Sequence, residues 1–188
     1  MRIEAVSIED AKELLSIYAY YVEKTAISFE YDVPSIDEFR NRIVTISEKY
    51  PYIKAVNDEG LILGYAYANT FKGRSAYDWS VETTVYVRKD MRRTGTGKAL
   101  YQALEEILSS MGILNMNACI AVTSKEDRHL TNDSFYFHEK MGFKLVGTFH
   151  DIGYKYDTWY DMVWMEKMIG KHSSMQAPVS FGDWKVSV

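Results

Sequence analysis

The stretch Val81-Glu82-Thr83-Thr84-Val85-Tyr86-Val87, followed shortly by Arg92-Arg93-Thr94-Gly95-Thr96-Gly97-Lys98, decides how the rest of the chain reads. Residues 81–87 are rich in β-branched side chains and read as a central strand, because such side chains fit a crowded pleated surface. From about residue 97 to residue 110, Ala99, Leu100, Leu104, Ile107 and Leu108 recur at helical spacing. The local order is therefore strand, glycine loop, helix. Glycines let the backbone turn several N–H groups toward one point, and a helix start adds free N–H groups and a positive dipole end. Such a loop is an anion nest suited to a phosphate or pyrophosphate. Lys89, Arg92, Arg93 and Lys98 surround it with cations. Its spacing is not that of a Walker A loop, and Leu100 stands where a dinucleotide fingerprint needs a third small residue. A basic surface loop capped by glycines is the plain alternative.

Working outward, Ser7-Ile8-Glu9-Asp10 reads as a helix start. Ala11, Leu14, Leu15, Tyr18, Tyr21 and Val22 then form one apolar stripe. Ser35-Ile36-Asp37-Glu38 after Pro34 is a capping box for a second helix, with Ile36, Phe39, Ile43 and Ile46 facing inward. The loop between them, residues 24–33, carries large side chains and reads as a loop beside a site. Residues 52–56 and 61–71 read as a hairpin closed by Asn57-Asp58-Glu59-Gly60. Residues 118–122 form a short strand, and residues 134–140 a helix ended by Gly142. Residues 143–148 and 159–165 give the last two strands, a candidate pair. The order α-α-β-β-β-α-β-α-β-β predicts an α/β (α+β) fold with a mixed sheet and helices on both faces. The periodicity fades at Gly170, so residues 1–169 are expected to form one domain and residues 170–188 a tail. Phe181 and Trp184 are costly to leave in water and favour docking of that tail.

The chain has 188 residues, 47% of them hydrophobic and 26% charged, which excludes intrinsic disorder. A formal net charge of −4 argues against a nucleic-acid partner. No apolar run approaches a membrane span or a signal peptide. The lone Cys119, in the apolar run Ala118-Cys119-Ile120-Ala121-Val122, reads as a buried structural thiol. One thiol suggests a reducing compartment, so a cytoplasmic location is expected. His129, His138, His150 and His172 lack ligand-pair spacing, so no metal site is expected.

The run Arg92-x-x-Gly95-x-Gly97 resembles the Arg/Gln-x-x-Gly-x-Gly/Ala pattern of the GNAT N-acetyltransferase superfamily. More narrowly, the chain resembles the phosphinothricin acetyltransferase family, which includes acetyltransferases for methionine sulfone and methionine sulfoximine. The similarity covers residues 3–167. It is carried by Ile17-Tyr18 through Tyr21-Val22, Ser28-Phe29-Glu30 with Pro34, Arg74-x-Ala76-Tyr77, and Glu82-x-x-Val85-Tyr86-Val87. His138-Glu139-Lys140-Met141-Gly142-Phe143 and Gly153-Tyr154-Lys155 with Trp159 complete it.

The resemblance implies a mostly antiparallel sheet flanked by helices, and direct attack of an amine on the thioester of acetyl-CoA. Arg92, Arg93, Thr94, Gly95, Thr96, Gly97 and Lys98 would hold the pyrophosphate. Val85, Tyr86 and Val87 would run beside the pantetheine arm, pairing through the backbone of Val85 and Val87. Glu82 matches the general base, against an exposed acid on the sheet. His138 stands where many relatives carry the acid that protonates the thiolate, against a helix-end cation. Asn132 and Ser134 match the CoA contact at the next helix start imperfectly. The family's Asn-x-x-Ser spacing puts Thr131 in the Asn position, and Asn132 could equally cap the helix. Arg74 and Tyr77 would meet an amino-acid substrate, with Phe29 and Glu30 closing over it. Lys155 and Trp159 lie in a hairpin where relatives form a homodimer. Core packing or solvation is the alternative for each of these six.

The leading expectation is an acetyl-CoA-dependent N-acetyltransferase acting on the α-amine of a small amino acid or analogue, such as methionine sulfone, methionine sulfoximine or phosphinothricin. The alternatives are another amine acceptor (a polyamine, an aminoglycoside or a protein N-terminus) and a CoA-binding sensor without turnover.

Overall fold

The computed structural model describes residues 1–182 and residue 184. Strands β1 (Arg2–Ala5), β2 (Tyr52–Val56), β3 (Ile62–Thr70), β4 (Ser80–Val87), β5 (Asn115–Val122), β6 (Lys144–Lys155) and β7 (Thr158–Met168) form one sheet. Their order is β1-β2-β3-β4-β5-β7-β6. Every neighbouring pair is antiparallel except β4 and β5, so the sheet is mixed and mostly antiparallel.

Helices cover both faces. Helices α1 (Ala11–Lys24) and α2 (Ile36–Ser47) lie on one side. The predicted stripe of α1 buries Leu14, Tyr18 and Val22, and α2 buries Phe39 and Ile43 against Tyr52, Ile62 and Tyr65. The Ser35 hydroxyl accepts the Glu38 N–H at 3.1 Å, satisfying a helix-start donor that would otherwise lack a partner. On the other face, α3 (Thr96–Ser110) sets Leu100, Leu104 and Leu108 against Ile53, Val81, Met116 and Met165. Helix α4 (Asp133–Lys140) packs beside it through Phe135 and Phe137.

Strand β1 is absent from the expected order. It is four residues long and half-exposed, with Arg2 and Glu4 alternating with Ile3 and Ala5. Its pairing partner, β2, lies some fifty residues away, so nothing local marks it. The last hairpin is longer than expected, because β6 bulges between Phe149 and Gly153 and then pairs again with β7. A bulge of this kind interrupts the two-residue alternation by which a strand is read.

The segment after β7 docks across the ends of α2 and α3. Trp184 is buried in the core on the α3 face. The Ser180 N–H donates to the Met111 carbonyl at 2.9 Å, and the Gly182 N–H to that of Lys49 at 3.2 Å. The Trp79 indole N–H donates to the Ala177 carbonyl at 2.8 Å. Trp79 immediately precedes β4, and its carbonyl accepts the N–H groups of Leu114 and Asn115 at the start of β5. The tail thus braces the closed end of the β4–β5 pair.

Candidate active site

Strands β4 and β5 pair only from Ser80↔Asn115 to Glu82↔Asn117, although β4 continues to Val87 and β5 to Val122. Beyond that point their residues line two sides of one cleft of about 370 Å³. The apex of this fork is tied by side chains. Thr83 Oγ1 donates to the Asn117 carbonyl at 3.1 Å, and Asn117 Nδ2 donates to the Val81 carbonyl at 3.1 Å. The Arg88 N–H bonds the Leu63 carbonyl on β3. By strand alternation the backbone groups of Val85 and Val87 therefore face the open, β5 side. The Val87 carbonyl accepts the Tyr21 hydroxyl from α1.

The glycine loop closes this end of β4. Gly95 adopts φ +90° and stands directly before α3, a conformation that favours glycine. No side chain caps the helix and no acid lies in its first turn, so its N–H groups and dipole stay available to an anion. The Thr94 hydroxyl turns inward, donating to the Met91 carbonyl at 2.7 Å and lying 2.9 Å from Thr96 Oγ1. A methyl group on Gly97 would meet Phe137 at 3.5 Å, an ordinary contact, so Ala would fit there. Arg92, Arg93 and Lys98 are exposed around the loop. Arg92 lies over the Tyr21 ring at 5.2 Å, and Arg93 pairs with Asp133 at 3.3 Å.

Glu82 stands at the fork apex, half-buried, facing the cleft. Burial raises its carboxyl above the usual range, and the positive charge of Lys72 partly opposes that. His138 is only 4% exposed. Burial lowers its pKa to about 4, opposed by its bond to the Ser134 carbonyl. It is thus a neutral imidazole near pH 7. Its Nδ1 lies 2.7 Å from the Ser134 carbonyl, an acceptor only, which assigns the proton to Nδ1. Nε2 is then an acceptor, and the Tyr101 hydroxyl donates to it at 2.9 Å. His138 lines the cleft in this state, with its proton turned toward Ser134.

The remaining expected residues lie in different surroundings. Phe29 and Ser134 line the cleft, with Ile27 and Ser28 beside Phe29. Arg74 and Tyr77 are exposed on the loop between β3 and β4. Glu30 holds Arg42 at 2.9 Å. Asn132 uses its side chain to accept the Thr123 N–H and to donate to the Thr123 carbonyl, which locks the end of β5 to the start of α4. The Lys155 ammonium donates to three backbone carbonyls, and Trp159 is exposed beside Tyr154. Neither lines the cleft.

Tyr101 and Cys119 line the cleft and were missed there, as was the charge of Lys72 acting on Glu82 and Cys119. Tyr101 lies one helical turn beyond Gly97, and that spacing was the available signal. Cys119 is exposed to the cleft rather than buried in the core, because alternation along β5 turns it away from Ala118 and Ile120. Shielding from bulk water, with the nearby negative charge of Glu82, pushes its thiol up to about 11.

Residues 3–164 match the model of the acetyltransferase (GNAT) domain. The chain belongs to this family. It is 31% identical over 163 residues to phosphinothricin N-acetyltransferase of Streptomyces viridochromogenes, covering 86% of this chain and 84% of the relative. It is 29% identical over 165 residues to the L-methionine sulfoximine/L-methionine sulfone acetyltransferase of Pseudomonas paraeruginosa, covering 87% and 92%. A GNAT superfamily phosphinothricin acetyltransferase from Sinorhizobium meliloti, solved in complex with acetyl-CoA, superposes with a TM-score of 0.85 at 29% identity, over 95% of this chain and 92% of that one. The protein is a GNAT N-acetyltransferase, and acetyl-CoA is its acetyl donor. The open edge of β4, ending at an uncapped helix start, suits a long arm with an anionic head.

Proposed function

We propose that this acetyltransferase acts on the α-amine of a small amino acid or analogue with a tetrahedral polar head, of the phosphinothricin or methionine sulfone/sulfoximine type. The observation that carries the reading is Glu82: a half-buried carboxylate with a raised pKa, at the apex of the fork and within the field of Lys72.

Acetyl-CoA supplies an activated acetyl thioester. The loop from Arg92 to Lys98, with the start of α3, holds its diphosphate, and the open backbone of Val85 with the Val87 N–H guides the arm toward Glu82. An α-ammonium has a pKa of about 8 and an ordinary Glu about 4.3, so raising Glu82 narrows an uphill proton transfer. Glu82 takes the ammonium proton, directly or through one water. The nitrogen lone pair then attacks the thioester carbonyl, the C–N bond forms and the C–S bond breaks. The nitrogen gives its second proton to solvent to leave the neutral amide, and the departing thiolate takes up a proton from solvent. His138 works as a neutral acceptor that fixes the Tyr101 hydroxyl beside the fork. Ile27, Ser28 and Phe29 form the acceptor wall. Lys72, with Arg74 and Tyr77 on the same loop, presents positive charge and a hydroxyl to the acidic groups of the acceptor. That cationic rim disfavours polyamines and aminoglycosides. Asn132 and Ser134 hold the start of α4 against the cleft.

We also propose a cytoplasmic homodimer, with residues 1–169 as the catalytic domain and the following tail as its brace. Among the described residues, no helix is long and apolar enough to cross a membrane. The edge strand β6 exposes Leu145, Val146, Phe149 and Ile152, with Trp159 beside them on β7. A second copy would cover this apolar edge, which is otherwise open to strand pairing.

Free-thiol release from acetyl-CoA in the presence of methionine sulfone tests the reading. Glu82→Gln is expected to lower kcat by about 10²–10⁴-fold, with acetyl-CoA binding retained. In the wild type, the acid limb of kcat/KM is expected above the usual carboxylate range, as the direction of the Glu82 shift requires. Unchanged turnover in Glu82→Gln, with chemistry rate-limiting, would remove Glu82 from this role.

A further inference from the structure

Strand β6 is exposed along most of its twelve residues and buried at only two, Gly153 and Lys155. Alternation puts these two on one face. Both meet the irregular segment that follows α1. The Lys155 side chain is 3% exposed, and its ammonium donates to the carbonyls of Val22 at 2.7 Å, Thr25 at 2.9 Å and Ser28 at 2.7 Å. Three N–H bonds meet three carbonyls, so the charged form is fully used. A neutral amine would leave one carbonyl without its donor. Val22 lies in the last turn of α1, where carbonyls lack helical partners and the dipole favours a cation. Burial lowers the Lys155 pKa, and the Glu30 charge opposes this.

Gly153 takes the other half of the contact. A methyl group there would lie 2.3 Å from the Phe29 ring, so the ring rests directly on the strand backbone. The Tyr31 hydroxyl donates to the Tyr154 carbonyl, and the Tyr156 hydroxyl to that of Val22 at 3.2 Å. The held segment is part of the cleft: Ile27, Ser28 and Phe29 line it together with Glu82. Thr25, Ala26 and Ser28 are buried without helical or strand pairing, so their carbonyls need partners from elsewhere. Lys155 comes from about 130 residues further along the chain to supply those of Thr25 and Ser28, together with that of Val22.

We propose that Lys155 is a positioning residue: touching no substrate, it fixes the acceptor wall at Ile27–Phe29 from strand β6, with Gly153 as its steric counterpart. This rests on the proposed assignment of that wall to the acceptor. The hydrogen bonds of Lys155 go to Val22, Thr25 and Ser28 and none to the acetyl-CoA loop or α3, so its loss is expected to separate the two substrates. A merely structural role would weaken both together.

The test compares the wild type with Lys155→Met, Lys155→Arg and Gly153→Ala. The acceptor KM, taken with methionine sulfone, is expected to rise about ten- to a hundredfold in Lys155→Met, while acetyl-CoA affinity by calorimetry stays within about twofold. Lys155→Arg is not expected to restore it, because a planar guanidinium cannot aim three N–H bonds at one set of carbonyls. Gly153→Ala, which displaces Phe29 and leaves Lys155 intact, is expected to give the same split, and it carries the test if Lys155→Met does not fold. Parallel losses for both substrates, or an unchanged acceptor KM, would overturn the proposal. If the wild type itself turns over no amino acid, the acceptor assignment has failed instead. Hydrogen exchange then reads the tie alone: faster exchange at residues 25–29 in Lys155→Met, with α3 unchanged, supports it, and unchanged exchange at residues 25–29 refutes it.

Discussion

At the scale of single residues, protonation is set by burial and by where each proton is held. His138 is neutral because its ring is enclosed and its single proton is engaged by the Ser134 carbonyl. Its folded pKa of about 4 lies below its ordinary value of 6.5. The folded state therefore binds fewer protons between those values. The stabilising contribution is fully present above about pH 6.5 and is lost as the pH falls toward 4. Across that window it amounts to on the order of 3 kcal/mol. Denaturant titrations at several pH values should show this loss, and His138→Gln should flatten it. Tyr101→Phe leaves Nε2 of His138 buried without a donor and is expected to cost about 1–3 kcal/mol of stability, read as a lower denaturation midpoint. Glu82 was legible in the sequence because it lies on the strand that leads into the glycine loop. Tyr101 offered only its one-turn spacing from Gly97, and Lys72 offered no local signal, since its charge reaches Glu82 from another element. Lys155 stood out as a residue, but its role depends on three carbonyls that no local pattern connects to it.

At the scale of elements, the strand–loop–helix unit was readable because its chemistry is contiguous. Gly95 and Gly97 differ in what they require. The φ of +90° at Gly95 favours glycine, whereas Gly97 has room for a methyl group. Gly95→Ala is expected to raise the acetyl-CoA KM clearly, with strain of about 1–2 kcal/mol. Gly97→Ala should leave it nearly unchanged. Steady-state kinetics with varied acetyl-CoA separates the two, and equal effects would contradict this reading of the loop. The fork itself could not be read from sequence. Strands β4 and β5 each look regular, and their separation after Glu82↔Asn117 shows only in pairing. Strand β1 and the bulge of β6 escaped for a similar reason: one is short and partly polar, and the other breaks the alternation that defines a strand.

At the scale of the whole molecule, an acidic chain of net charge −4 would, on the proposed reading, gather positive charge at its two substrate entrances. Lys89, Arg92, Arg93 and Lys98 stand at the nest, and Lys72 and Arg74 on the acceptor rim. The exposed edge of β6 gives a further expectation: Phe149→Glu should shift the protein from dimer to monomer in light scattering, and a dimer that persists would place the interface elsewhere. The docking of the segment after β7 through Trp184 was legible, because an aromatic side chain is costly to leave in water. The measurement that tests the central claim most directly is acetyl transfer across a panel of amines, followed by free-thiol release. The account predicts release with α-amino acids bearing sulfone, sulfoximine or phosphinate heads, and little with polyamines or aminoglycosides. Activity confined to polycations, or acetyl-CoA binding without thiol release for any amine, would contradict it.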